Sequence, residues 1–342
     1  MNNFTESLTP MAVELCKNHP YYLLGETIWR FGALICVLLG MPGHVLVIII
    51  MLSARNRRQP VCLYFATMAI FEIIFLTIVF WLWCSSLSLA RDPRDVLTCG
   101  TYYSLLIGSS HISTLLLTAA SIDRVWIVVY PSRYSTFVTR TKALIKIILI
   151  IIIVSLVIIQ YHFSVYFSYS YNICEYYSYA ELWHGKVWPV IRLSLLAFLP
   201  CITICICSMV ILRNRYYRRP STTSETTGSR HMRTASLLLV IYSIYYTLSV
   251  MPLNILQLFH SYFFNDRITE ASQINCLKFA QWKMLMKFCL LLMAINYSNK
   301  FLVHYLISMQ FRRNFWSLCP KCTWTPSRYR KRTRSFENSI SN

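Results

Sequence analysis

Residues 142–159 read KALIKIILIIIIVSLVII. Apart from its lysines, the stretch offers water almost nothing. A helix of ~20 apolar residues, rising 1.5 Å per residue, crosses the ~30 Å hydrocarbon core of a bilayer. Comparable runs begin near Thr27, Cys62, Leu97, Val187, Met232 and Lys278, each about 25 to 30 residues long. The 342-residue chain is 56% hydrophobic and only 13% charged, whereas a soluble domain carries about a quarter charged residues. It has no fixed-period repeat and no symmetry between its halves, which argues against a transporter built from inverted repeats. The expectation is an all-α membrane protein, a seven-helix bundle. Residues 1–26 precede the spans, 27–309 hold them and 310–342 form a tail. The first 25 residues are polar, without a basic flank and apolar core, so the first span is expected to serve as the targeting signal.

The net charge of +20 is distributed as membrane topology demands rather than as a nucleic-acid footprint. Arg55, Arg57 and Arg58 follow the first run, and Arg133, Arg140 and Lys142 follow the third. Arg213, Arg215, Arg218, Arg219, Arg230 and Arg233 bracket the loop after the fifth. Arg312, Arg313, Lys321, Arg328, Arg330, Lys331, Arg332 and Arg334 fill the tail. Short loops rich in Lys and Arg stay in the cytoplasm, so the N-terminus is expected outside. Asn3-Phe4-Thr5 is a glycosylation sequon on that side. Of the thirteen cysteines, Cys16, Cys99, Cys174 and Cys276 fall in outer segments, facing an oxidising compartment.

The third run ends in Ser121-Ile122-Asp123-Arg124-Val125-Trp126-Ile127-Val128-Val129-Tyr130-Pro131. This resembles the Asp-Arg-Tyr segment of rhodopsin-like G-protein-coupled receptors, and Cys99 stands 25 residues before Arg124, the family's spacing. Gly43 with Val47, Leu63-Tyr64, Ala69-Ile70-Phe71-Glu72, Pro200 and Pro252 extend the likeness through helices one, two, five and six. Phe311-Arg312-Arg313-Asn314-Phe315 resembles the start of the short cytoplasmic amphipathic helix after helix seven. The resemblance implies a multi-pass plasma-membrane receptor without cofactor, metal or enzymatic activity. Its partners would be a heterotrimeric G protein and an extracellular ligand, with Asp123 and Arg124 at the coupling face. It also implies a Cys99–Cys174 disulfide and, as in some peptide and chemokine receptors, a second one joining Cys16 to Cys276. Cys319 and Cys322 are candidate palmitoylation sites.

The departures are as informative. On helix seven the family's Asn-Pro-x-x-Tyr motif falls on Lys300-Phe301-Leu302-Val303-His304. Glu72 replaces the family's helix-two aspartate and His44 its helix-one asparagine. Typical members hold a sodium ion at that aspartate. An ionisable residue within a span is costly, so it is expected to be paired and functional. The expected arrangement is a Glu72–Lys300 ion pair supported by His44, Ser113 and Asn296. The toggle tryptophan of helix six is absent from Ser249-Val250-Met251-Pro252, and Ser208 replaces the helix-five tyrosine.

Carried onto this chain, the aspartate of amine receptors is Leu106 and the retinal lysine of opsins is Ala294, which argues against both ligand classes. A peptide fits the aromatic loop of Tyr169, Tyr171, Tyr176, Tyr177 and Tyr179, and the altered motifs resemble those of invertebrate neuropeptide receptors, which implies a neuropeptide. Candidate contacts are Tyr102, Tyr103, Leu106, Arg192, Asn254, Gln257 and Lys287, with Lys283 nearby, and the cations favour an acidic group on the ligand. The alternative is a constitutively active or decoy receptor without agonist-dependent signalling, as the lost switch residues would allow.

Overall fold

The computed structural model describes residues 16, 18–53, 56, 59–130, 138–168, 173–217, 227–263 and 273–317. The sequon at Asn3, Cys319 and Cys322, Tyr169 and Tyr171, and most of the basic loop and tail residues lie outside them. Among the described residues, six helices are long and apolar enough to cross a membrane. α1 is Pro20–Leu52, α2 Pro60–Ser86 and α3 Cys99–Val129. α4, Arg140–Ile158, continues as a short helical segment, Gln160–Ser164. α5 is composite: π-helical turns at Trp183–Val187 and Arg192–Phe198 flank Trp188–Ile191 and lead into Leu199–Tyr217. α6 is Thr227–Phe263. The seventh span, α7, runs Gln273–Ser298 and resumes as Lys300–Ile307. It carries Lys278, Lys283 and Lys287 in its first half. α8, Met309–Ser317, follows.

Local chemistry sets these boundaries. Pro60 occupies the first turn of α2, where its missing N–H costs nothing. Thr139 caps α4 by accepting from Lys142 N. Pro200 falls at the second position of Leu199–Tyr217, directly after a π turn, so the widened backbone and the absent donor coincide. Pro252 lies inside α6, where it removes an intrahelical bond. α7 breaks at Asn299 without any proline: Asn299 has φ −99° and ψ 8°, and its amide donates to Tyr245 Oη on α6 at 2.7 Å.

Small residues bring helices together where lipid supplies no hydrophobic drive. A Cβ on Gly40 of α1 would lie 2.6 Å from Leu76 of α2 and 2.9 Å from Ser298 of α7. The core of the bundle runs through Trp29, Tyr64, Phe75, Leu116, Tyr242 and Tyr297. α4 is the outermost span, with 22% of its apolar window buried against 61% for α6. Outside the bundle, β1 (Val165–Ser168) and β2 (Ile173–Tyr176) form an antiparallel hairpin pairing Phe167 with Cys174.

Candidate functional site

At mid-depth the chain buries a carboxylate and an ammonium together. Glu72 of α2 and Lys300 of α7 are 1% and 6% exposed. Lys300 Nζ bonds Glu72 Oε1 directly and lies 3.3 Å from Ser113 Oγ of α3. The Ser113 hydroxyl donates to the same carboxylate oxygen. His44 of α1 completes the ring, its Nδ1 3.6 Å from Glu72 Oε2 and its Nε2 2.5 Å from the Tyr297 carbonyl. Tyr242 and Tyr297 place ring centroids 5.7 and 5.8 Å from Nζ, near enough for cation–π attraction. Asn296 is buried beside them, lining a void of about 10 Å³ with Ser113 and Lys300. The break at Asn299 positions the lysine: its carbonyl accepts from Tyr242 Oη at 3.0 Å while its side chain turns inward. One turn on, buried His304 packs against Phe65, Tyr242 and Phe311.

At the inner end of α3, Asp123 and Arg124 are both buried. The Asp123 carboxylate accepts from Tyr64 Oη of α2 at 2.8 Å and from Lys146 Nζ of α4. Reading the sequence put Asp123 beside Arg124 and missed Lys146. The available signal was a cation one helical turn past Lys142 on the stretch quoted first. A lone lysine in a span requires an acid on another helix.

Toward the outer end lies a cavity of about 70 Å³ between α3, α5, α6 and α7. Leu106, Arg192, Asn254 and Gln257 line it, as does His111, which sequence reading did not single out. Arg192 donates to Gln257 Oε1. The His111 Nε2 and Arg192 Nε atoms are buried without a hydrogen-bond partner. Among the described residues that line this cavity, Arg192 is the sole Asp, Glu, Lys or Arg. Four other candidates sit elsewhere. Tyr102 and Tyr103 pack edge to face, and Tyr103 stacks toward Tyr161 of α4. Lys287 turns to α1, 3.1 Å from Glu26 and 5.3 Å from the Trp29 ring, because its long stem reaches the acid and aromatic on the neighbouring helix. Lys283 lies over the Phe279 ring at 5.3 Å.

Two disulfides hold the end of the bundle where α3 and α7 begin. Cys99 at the start of α3 joins Cys174 of β2, with Cα atoms 5.8 Å apart, and Cys16 joins Cys276 at the start of α7, 5.4 Å apart. The first bridge anchors β2, which carries Tyr176. Its ring stacks on His184 at 4.7 Å. Burial pushes the Tyr176 phenol pKa up, Tyr103 and Tyr161 add to the rise, and the Arg192 charge opposes it. Beside the bridge, burial alone would raise the Asp92 carboxyl, but hydrogen bonds and charge from Arg94 hold it below the usual carboxylate range.

Comparison with known proteins places this architecture. A family model described as 7 transmembrane receptor (rhodopsin family) matches residues 43–298. The chain is 25% identical over 331 residues to the B1 bradykinin receptor of Macaca mulatta, covering 92% of this chain and 89% of that receptor. It is 26% identical over 245 residues to the B1 bradykinin receptor of Macaca fascicularis, covering 68% of each.

Proposed function

Because this chain belongs to the rhodopsin family of seven-transmembrane receptors, a receptor and not an enzyme family, we propose that it carries an extracellular peptide signal to a heterotrimeric G protein. In this reading the N-terminus is outside, the hairpin and disulfides frame the entrance, and Arg124 meets the G protein. The observation that carries the ligand class is the outer cavity, with one cation and no acid in its lining. A cavity of about 70 Å³ takes the tip of a ligand rather than its body, as for a peptide that spreads over the tyrosine-rich loops and inserts one acidic end. The name of the receptors matched above points the same way, since bradykinin is a peptide ligand of theirs.

The deciding experiment is G-protein activation in cells expressing the full chain, screened against a neuropeptide library beside an Arg124→Ala variant. A peptide-dependent signal that falls at least tenfold in the variant is expected. A receptor at the surface that answers no peptide would move the reading to a decoy, and a high resting signal lost with Arg124 would make it constitutively active.

Arg192→Gln is expected to raise the effective concentration of an acidic peptide about 10- to 100-fold. A hydrogen bond to a charged group contributes ~1.5–3 kcal/mol, and every 1.4 kcal/mol is tenfold. Capping the ligand's acid should produce the same loss and leave Arg192→Gln without further effect. Additive losses would place the acid elsewhere.

Lys146→Met should raise the resting signal a few-fold, because Asp123 then keeps its Tyr64 hydrogen bond but loses its α4 cation. Lys146 is 39% exposed at its side chain, and solvent screening keeps the effect modest. Lys146→Arg should restore the wild-type level, whereas equal resting signals in Met and wild type would remove Lys146 from the coupling face.

A further inference from the structure

The polar groups around the outer cavity are mostly spent on the protein's own backbone. The Ser110 hydroxyl donates to the Ile107 carbonyl at 2.8 Å, and the Thr114 hydroxyl donates to the Ser110 carbonyl at 3.0 Å. Tyr297 Oη donates to that same Ser110 carbonyl at 3.3 Å, and Asn254 Nδ2 to the Val250 carbonyl at 2.9 Å. Among the described residues that line the cavity, the buried side-chain atoms left without a partner are His111 Nε2 and Arg192 Nε. Both are nitrogens, and no buried oxygen of that lining is left over beside them.

His111 stands one turn after Ile107 on the α3 face that lines the cavity. Arg192 opens the π-helical turns Arg192–Phe198 of α5. Its Nη2 is held by Gln257 of α6, and its charge acts on the imidazole of His111. A buried donor without an acceptor is costly. The two nitrogens belong to different helices, so one acceptor group with two oxygens can serve both. Neighbouring atoms cover them. An incoming group therefore reaches the imidazole through a turn about its χ2, a torsion whose profile is broad and roughly two-fold.

We infer, on the reading that this cavity takes the ligand's acid, that His111 is the acid's second donor. The imidazole, with its proton on Nε2, takes one oxygen of a carboxylate and Arg192 Nε takes the other. An ionised carboxylate only accepts, through two oxygens. A primary amide of the same shape carries two N–H donors of its own, and in this grip its nitrogen would meet a nitrogen donor. Arg192 supplies the charge that strengthens the contact. His111 makes the place of the second oxygen a donor as well, so the site selects a free acid over its amide. The carboxylate is the shared chemistry of a peptide's C-terminus and of an Asp or Glu side chain.

The test uses the full chain in phosphatidylcholine nanodiscs and two probes of nearly equal shape, isovalerate and isovaleramide, with binding read by saturation-transfer NMR. The wild type is expected to prefer the acid at least tenfold. His111→Phe keeps a ring without nitrogens and should weaken isovalerate at least tenfold, as the loss of one hydrogen bond to a charged group does, while leaving isovaleramide unchanged. His111→Gln, which returns an N–H near the position of Nε2, should recover most of the acid's affinity. The thermal midpoint without probe reports whether each variant is folded, and His111→Leu replaces His111→Phe should the latter be destabilised. Equal weakening of acid and amide, no weakening in a folded variant, or a His111→Gln as weak as His111→Phe overturns the proposal. Parallel arms with N-acetylleucine and with the α-amide of N-acetylglutamate present the carboxylate as a chain end and as a side chain. Tighter binding of either that is lost in His111→Phe supports the proposal and names the source. A peptide signal in cells that needs Arg192 but not His111 overturns this role and keeps the receptor reading. An acid preference that needs His111, without any peptide signal, keeps the role and removes that reading.

Discussion

Lys300→Met is expected to strip most of the receptor from the cell surface, and adding Glu72→Gln to return much of it. Removing the ammonium leaves a carboxylate that is 1% exposed with only the Ser113 hydroxyl and His44 close by. An uncompensated buried charge of this kind costs ~3–5 kcal/mol, while replacing both partners with neutral side chains of similar volume is often near neutral. That loss is comparable to the whole stability of many folded domains, ~5–15 kcal/mol. The measurement is surface labelling of the single and double variants as a cycle, which isolates the pairwise term. A double variant as poorly expressed as Lys300→Met would show that the lysine matters for something other than Glu72. In the same geometry the lysine's own ammonium bonds the Glu72 carboxylate oxygen.

Cys99→Ser carries the second large effect. The bridge to Cys174 spans 75 residues of sequence, and closing a loop of that size restricts the unfolded chain by about 4 kcal/mol. The figure is an upper bound here, because chains unfolded within a bilayer retain their helices and so have less freedom to lose. The folded state also loses an anchor: β2 carries Tyr176 to its stack on His184 near Arg192. A thermal midpoint lower by several degrees and a weakened peptide response are expected together in the purified variant. A lower midpoint with an unchanged response would separate the bridge from the ligand site, and an unchanged midpoint would remove its structural role.

Much of this receptor was legible before any coordinates. Continuous apolar runs announce spans, because a bilayer gives the backbone no alternative to helix, and residues 142–159 could be read no other way. The Asp123-Arg124 pair and its spacing from Cys99 marked the two ends of α3. Charge in an apolar segment marked Glu72 and Lys300 as partners, since acids are sparse in the spans. Helix ends were less legible. α1 starts at Pro20 rather than near Thr27, because His19 and the proline begin the helix ahead of the apolar surface.

What the sequence determined by itself is the seven-span class and the pairing of the buried charges, because each follows from the cost of polarity in hydrocarbon. Only the tertiary structure decided which side chains share a space. Lys287 went to Glu26 and Trp29 instead of the outer cavity, and Lys146 took Asp123 across two helices. His111 joined Arg192 around a cavity. Those outcomes depend on how each helix is rotated about its axis. That rotation is set by close contacts such as Gly40 against Leu76 and Ser298, which join residues far apart in the chain and leave no periodic trace along it.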